Sequence, residues 1–280
     1  MDHIPCQRLS MRAKDQMSFY VDEALLARSG ILVAFSTRQG GRSVGPYAGL
    51  NLAGHSGDDP GAVDENRRDL LGMWGLDAGR LVTAQQVHGD DVVVVTAADA
   101  GRGARVTGGR SPIEGTDAMI TSESDLPLMM MYADCVPVLL VAEGPRRAVA
   151  VVHAGWRGAL SRLPAKTAVG LARTAGCREK DLSAYIGAHI CSECYEVGEE
   201  LAVAFDNEFA SSSHSVSIRS GSPRVDLGQA VGSALTDAGV RPERVIGLGM
   251  CTSENLSLFY SYRAEGVTGR HGALTAVLPA

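Results

Sequence analysis

The 280-residue sequence has no block of Lys or Arg: 26 basic residues are scattered among 32 acidic ones, for a formal net charge of −6 and a pI near 5.7. A nucleic-acid groove needs a concentrated cationic face to neutralise phosphates, so that partner class is excluded. There is no membrane span to read either. The most apolar run, 126–142, is short for one and is interrupted by Pro127, Asp134 and Pro137. The N-terminus lacks the positive-then-apolar order of a signal peptide, so the expected location is cytoplasmic and the six cysteines are expected as thiols. There is no Walker loop, no His-x-His among the seven histidines and no H-x-E with P-C-x-x-C, the zinc deaminase signature. No internal repeat or linker divides the chain.

What the chain does have is glycine, 33 residues of it, in short clusters that suit many strands joined by turns. The expected fold class is α+β: a single domain over 19–280 with mixed β-sheets and outer helices, preceded by a loose N-terminal extension, 1–18, that shows neither strand nor helix period. From Ile31 a short strand leads into a long Gly-rich loop with Arg38, Arg42, Ser43, Asn51 and His55 as potential ligand contacts. Asp59-Pro60 starts a helix over 60–74, on which Val63, Leu70, Leu71 and Trp74 form an apolar stripe. Strands are expected at 81–86 and 91–96, and a mobile surface loop over 97–115. A helix over 164–175 ends at Gly176. Beyond it the pattern gives a strand at 185–190, a helix over 197–209, a loop over 210–224 and a helix begun by the Asp226/Gln229 capping box. A strand at 245–250, an aromatic strand, a turn holding Arg263 and Arg270, and a last strand close the chain.

The chemistry concentrates between Asp117 and Gly158. Apolar runs at 126–131, 136–142 and 148–152 read as buried strands, yet Asp134-Cys135 separates the first two and the third runs into His153. Upstream, His88 stands in a tight connection, QQVHGDD, before another apolar run. We read His88, Cys135 and His153 as three ligands converging on one metal. Two imidazoles and a thiolate suit Zn²⁺ and leave a fourth position open, the pattern of a catalytic site. Cu²⁺ is the alternative, with Met129–Met131 able to supply a thioether, although core packing is the commoner use of three methionines. Asp134 has two readings, a group that orients a ligand or accepts a proton, and a turn cap. Cys191-x-x-Cys194 invites a redox or zinc-knuckle reading, against which stand the lack of a second CxxC for a four-thiolate set and of a thioredoxin-like context before it; the pair is assigned to a loop outside the site.

These residues resemble the YfiH/YlmD family, also called the polyphenol oxidase or laccase-domain family. The stretches that carry the resemblance are GPYAGLNLAGHSGDD, ENRR, QQVHGD, DAMITSESDLPLMMMYADCVPVLLV, AVVHAGWRG, CYEVGEEL and YSYRAEGVTGRHGAL. It implies a YfiH-like fold and a metal, usually zinc, on His88, Cys135 and His153. It also implies purine nucleosides and phosphate as substrates: phosphorolysis of adenosine, inosine, guanosine and methylthioadenosine, plus adenosine deamination. Arg67, from ENRR, and Asn51, from the LNL motif, fall on implied substrate contacts, with Arg67 holding phosphate or ribose. Copper-dependent polyphenol oxidation and editing of peptidoglycan precursors are the alternatives the family brings with it. The chain departs from the family at IGAHICSECYEVG, where relatives have a Pro-rich IGPxIGPCCYEVG: His189 and Cys191 are additions and Glu193 stands in place of a cysteine. Oligomeric state is not legible.

Overall fold

The computed structural model describes residues 8–210, 215–219 and 221–279. The central strands alternate so that each face of a strand enters a different core. In Val136–Ala142 and Ala148–Ala154 every residue is buried. Val136, Val138, Leu140, Ala150 and Val152 pack beneath the helices Leu163–Ala175, Glu199–Phe209 and Leu227–Asp237. Leu139, Val141, Val149 and Val151 point the other way, onto Ile31, Val33, Leu128, Met130 and Tyr132 of a second sheet. That second sheet presents Phe19, Leu32, Met129 and Leu274 on its far side to Leu70 and Leu71 of the helix Pro60–Gly72. The result is four layers: helices, sheet, sheet, helix. Strands between two cores are apolar on both faces, which is why they read as unbroken runs.

The helix-covered sheet has six strands in the order Val245–Gly247, Ser183–Ile186, Val136–Ala142, Ala148–Ala154, Ala118–Thr121, Val92–Val94. Its two outer pairings are parallel and the inner ones antiparallel. The other sheet is antiparallel throughout, in the order Ser10–Lys14, Met17–Val21, Ile31–Ser36, His271–Val277, Leu128–Tyr132. This is the α+β architecture with mixed sheets and outer helices that the sequence leads one to expect. No helix among the described residues is long and apolar enough to cross a membrane.

Four local expectations need correction. Residues 10–18 are not a loose extension: Ser10–Lys14 and Met17–Val21 form a hairpin at the sheet edge, paired from Ser10↔Val21 to Lys14↔Met17. Ser10–Lys14 is largely exposed on both faces, so it lacks the alternation by which a strand is recognised; residues 1–7 lie outside the described residues. Within 210–224, Val216–Arg219 and Ser222–Val225 pair as a second hairpin, while 211–214 lie outside the described residues. The 81–86 segment makes only single bridges, Val82↔Leu128 and Ala84↔Ile113. The aromatic stretch before the last strand is a set of turns leading into the short helix Tyr262–Glu265, with Phe259 and Tyr260 buried as plugs.

Candidate metal centre

Strand register assembles the site. Val136 pairs with Ala154 and Pro137 with His153, so the residue before the first strand, Cys135, lies beside the end of the second. His153 continues the inward row of Val149 and Val151 and so sits at the end of the core between the sheets. Ala118 pairs with Val152, which carries Asp117 next to His153.

Asp117 was not singled out as a site residue from the sequence, and it organises both histidines. One carboxylate oxygen takes the Nδ1–H of His153 at 2.7 Å. The other accepts the backbone N–H groups of Val87, at 3.0 Å, and Gly89, at 2.7 Å, on either side of His88. An ionised carboxylate only accepts, so Nδ1 of His153 carries the proton and Nε2 keeps its lone pair for a metal. The pinned loop holds His88 at φ 58°, a left-handed conformation that costs a non-glycine residue about 1–2 kcal/mol. The two imidazole rings come to 4.8 Å between centroids. A fully buried acid opening an apolar strand, Asp117 before Ala118–Thr121, was the available signal.

Asp134, also at positive φ, 98°, forms the turn that presents Cys135. Its carboxylate accepts from Thr252 Oγ1 (2.6 Å), Ser261 Oγ (2.7 Å) and the Arg263 backbone N–H (2.7 Å). With those bonds it acts as a turn anchor, the second of its two sequence readings. Gly155 closes the cradle: a Cβ there would lie 3.0 Å from the His88 ring and 3.1 Å from Cys135 Sγ, so a side chain would press on two of the donors.

The donor atoms of His88, Cys135 and His153 all lie within 4.8 Å of one another. Burial pushes the Cys135 thiol up, but the facing imidazoles of His153 and His88 outweigh it and bring it down to about 6. Burial likewise opposes charge on His153, yet Cys135 and Asp117 raise it to about 9. The pair therefore favours a thiolate facing an imidazolium, and a divalent cation between them would replace that proton. The chemistry of the donor set, the fixed tautomer of His153 and the Gly155 cradle all fit a bound metal ion. Met129 and Met130 are spent in opposite cores, and only Met131 reaches the cavity wall.

The three donors open into a cavity of about 470 Å³. Its walls carry His55, Arg157, Arg263 and Arg270, with Trp156, Tyr195 and Tyr262 as aromatic surfaces. Arg263 is steadied by the carbonyl of Glu196 at 3.1 Å, and Arg270 by those of Thr268 and Gly269, each at 2.8 Å. Three guanidinium groups around one concavity make a positive field suited to an anionic ligand.

Arg67 and Asn51 do not line this cavity. Arg67 is 4% exposed and donates to the backbone carbonyls of Leu52 (2.9 Å), Gly103 (2.9 Å) and Ala104 (3.4 Å), tying the Gly-rich loop and the 97–115 loop to its helix. Asn51 is fully buried, donates to Ser56 and Asp58, and accepts the backbone N–H of Ala53 and Arg270. Both are loop fasteners, placed there because unpaired carbonyls under a packed loop need a donor with reach. Arg38, bound to Leu256 and Glu265, and Ser43, bound to Asn66, have the same kind of role; Arg42 pairs with Glu65 and Asp69 at the surface. Of the polar loop residues, His55 alone is among those in the cavity wall. Arg67→Ala is expected to lower stability by roughly 2–5 kcal/mol, because it leaves buried carbonyls unpaired, with metal content per folded chain unchanged. Thermal unfolding together with metal analysis checks both halves.

The family model for multi-copper polyphenol oxidoreductase laccase matches residues 32–277. The chain belongs to that family. Curated relatives of this laccase-like family include a purine nucleoside phosphorylase of Deinococcus radiodurans, 38% identical over 242 residues, covering 86% of this chain and 87% of the relative. Another, a purine nucleoside phosphorylase of Corynebacterium glutamicum, is 35% identical over 240 residues, covering 86% and 92%. Among solved structures, YlmD from Geobacillus stearothermophilus superposes with a TM-score of 0.88 at 29% identity, over 97% of this chain and 99% of that one. Bacillus licheniformis YfiH gives 0.85, at 29% identity over 96% and 99%. Relatives that carry an enzyme's name, together with the donor set, support an enzyme that binds a metal.

Proposed function

We propose that the chain is a zinc-dependent purine nucleoside phosphorylase that takes adenosine, inosine, guanosine and methylthioadenosine with phosphate, and that it also deaminates adenosine. The observation that carries this reading is a His88–Cys135–His153 donor set opening into a cavity rimmed by three arginines and three aromatic rings. A zinc ion held by those donors would act as a Lewis acid toward the substrate oxygen or water facing it.

The rest falls to the chain's own side chains. Arg157, Arg263 and Arg270 hold the phosphate dianion with one oxygen facing the anomeric carbon; as that C–O bond forms the glycosidic C–N bond breaks, and its electron pair leaves on the purine, which takes up a proton. Trp156, Tyr195 and Tyr262 offer flat faces to the purine, and closing ligand against them excludes water from the anomeric carbon. Asp117 keeps His153 in one tautomer throughout. Zinc is favoured over coupled copper because the sequence has no His-x-His pair. All five described cysteines are free thiols, which suits a reducing cytoplasm.

Chromatographic analysis of adenosine incubated with zinc-loaded protein tests the proposal. Adenine and ribose-1-phosphate are expected only when phosphate is supplied, whereas inosine forms with or without it. Neither product from folded, metal-loaded protein, or phenol oxidation by a blue copper-loaded form in their place, would contradict it.

A further inference from the structure

A second donor cluster lies outside the catalytic cavity, and Cys191-x-x-Cys194 is half of it. The other half is Cys251-x-x-Glu254, the same spacing 60 residues further on. A parallel bridge, His189↔Cys251, sets the two segments side by side. It is fastened by His189 N–H to the Met250 carbonyl at 3.2 Å and Thr252 N–H to the His189 carbonyl at 3.0 Å. Each segment then turns at once. Cys194 N–H closes the first turn on the Cys191 carbonyl at 3.1 Å, and Asn255 Nδ2 caps the Cys251 carbonyl at 2.8 Å. The first turn begins two residues beyond the bridge and the second at the bridge itself, and each presents its positions i and i+3 to the same point.

The three sulfur atoms and a Glu254 carboxylate oxygen all lie within 4.8 Å of one another. A tetrahedral zinc ion with Zn–S near ~2.3 Å and Zn–O near ~2.0 Å needs S···S of about 3.8 Å and S···O of about 3.5 Å, so closure takes shifts of about an ångström. The Cys191 backbone N–H already points at Cys251 Sγ, 3.3 Å away, the kind of donor that steadies a thiolate bearing a metal. A disulfide would use two of the thiols and leave the third and the carboxylate unaccounted for. Four donors form a closed set, in contrast to the three-donor catalytic centre with its open side, and sulfur-rich donors select zinc over the hard cations.

We propose that Cys191, Cys194, Cys251 and Glu254 form a structural zinc site. Its ion clips the 189–196 segment to the 250–255 turn. Both segments build the catalytic wall: Ile190 and Tyr195 line the cavity, the Cys194 carbonyl lies 3.4 Å from Arg263, and Thr252 holds the Asp134 carboxylate beside Cys135. No second CxxC exists in the sequence to complete the set; the third thiol and the acid arrive through the fold.

Metal analysis of purified, exhaustively dialysed protein tests the site apart from the catalytic one. Wild type is expected to hold about two zinc ions per chain, Cys135→Ala and Cys251→Ser about one each, and the double variant none. Zinc-free Cys135→Ala would overturn the proposal, as would wild-type zinc content in Cys251→Ser, or an intact mass showing that two of these cysteines are joined in the purified protein. Should Cys251→Ser fail to fold, cobalt-loaded Cys135→Ala decides alone. Strong thiolate-to-cobalt charge-transfer absorption supports the site and its absence refutes it.

Discussion

Cys135→Ala is expected to lose the catalytic metal and nearly all turnover while remaining folded. The two remaining donors are imidazoles, and one, His88, is presented from an exposed loop, so the divalent ion loses its only anionic ligand, one of three protein donors. The loss in metal affinity should exceed the ~10–100-fold typical of removing a group that only orients a ligand. Stability should change little by comparison. Cys135 sits at the cavity surface rather than within either core, and a chain of this size does not depend on one ion to fold. Circular dichroism, metal analysis and the phosphorolysis rate of the same preparation separate the effects; full turnover by a Cys135→Ala chain that has lost the metal of this centre would refute the catalytic role.

Asp117→Ala should be nearly as damaging, by a different route. It frees His153 to change tautomer and ring orientation, worth ~10–100-fold in metal affinity. It also unpins Val87 and Gly89, so that the left-handed conformation of His88, costing about 1–2 kcal/mol, is no longer enforced. Asp117→Asn keeps the size of the side chain and one acceptor, so it should fall between wild type and Asp117→Ala. Zinc titration of metal-stripped protein reads the order directly. Equal affinities for Asp117→Ala and wild type would mean that the strands alone position the two imidazoles.

The convergence of His88, Cys135 and His153 was legible because each sits where an apolar run meets a turn bearing Gly, Asp or Pro. Mixed sheets with helices on the outside were legible because strands apolar on both faces need cover on both sides, whereas the stacking of four layers was not. What local pattern could not supply was register. Asp117 reaches His153 through strand pairing and His88 through a loop 28 residues upstream, and neither relation leaves a periodic trace. Cys251 and Glu254 join the CxxC pair across 60 residues in the same way. Arg67 misled for a different reason. Its substrate contact was implied by the ENRR resemblance, whereas three backbone carbonyls of neighbouring loops claim the guanidinium. The N-terminal hairpin was hidden because an exposed edge strand is held by backbone pairing, which any side-chain sequence permits.

The most direct test of the central claim is metal re-addition with inosine and phosphate as substrates. Protein stripped of metal, and verified as folded, is titrated with zinc while ribose-1-phosphate is measured. The account predicts no turnover at the start, recovery as zinc fills the His88–Cys135–His153 centre, and no recovery at any zinc concentration in Cys135→Ala. Stripped protein that phosphorolyses inosine at the rate of the zinc-loaded form would contradict it.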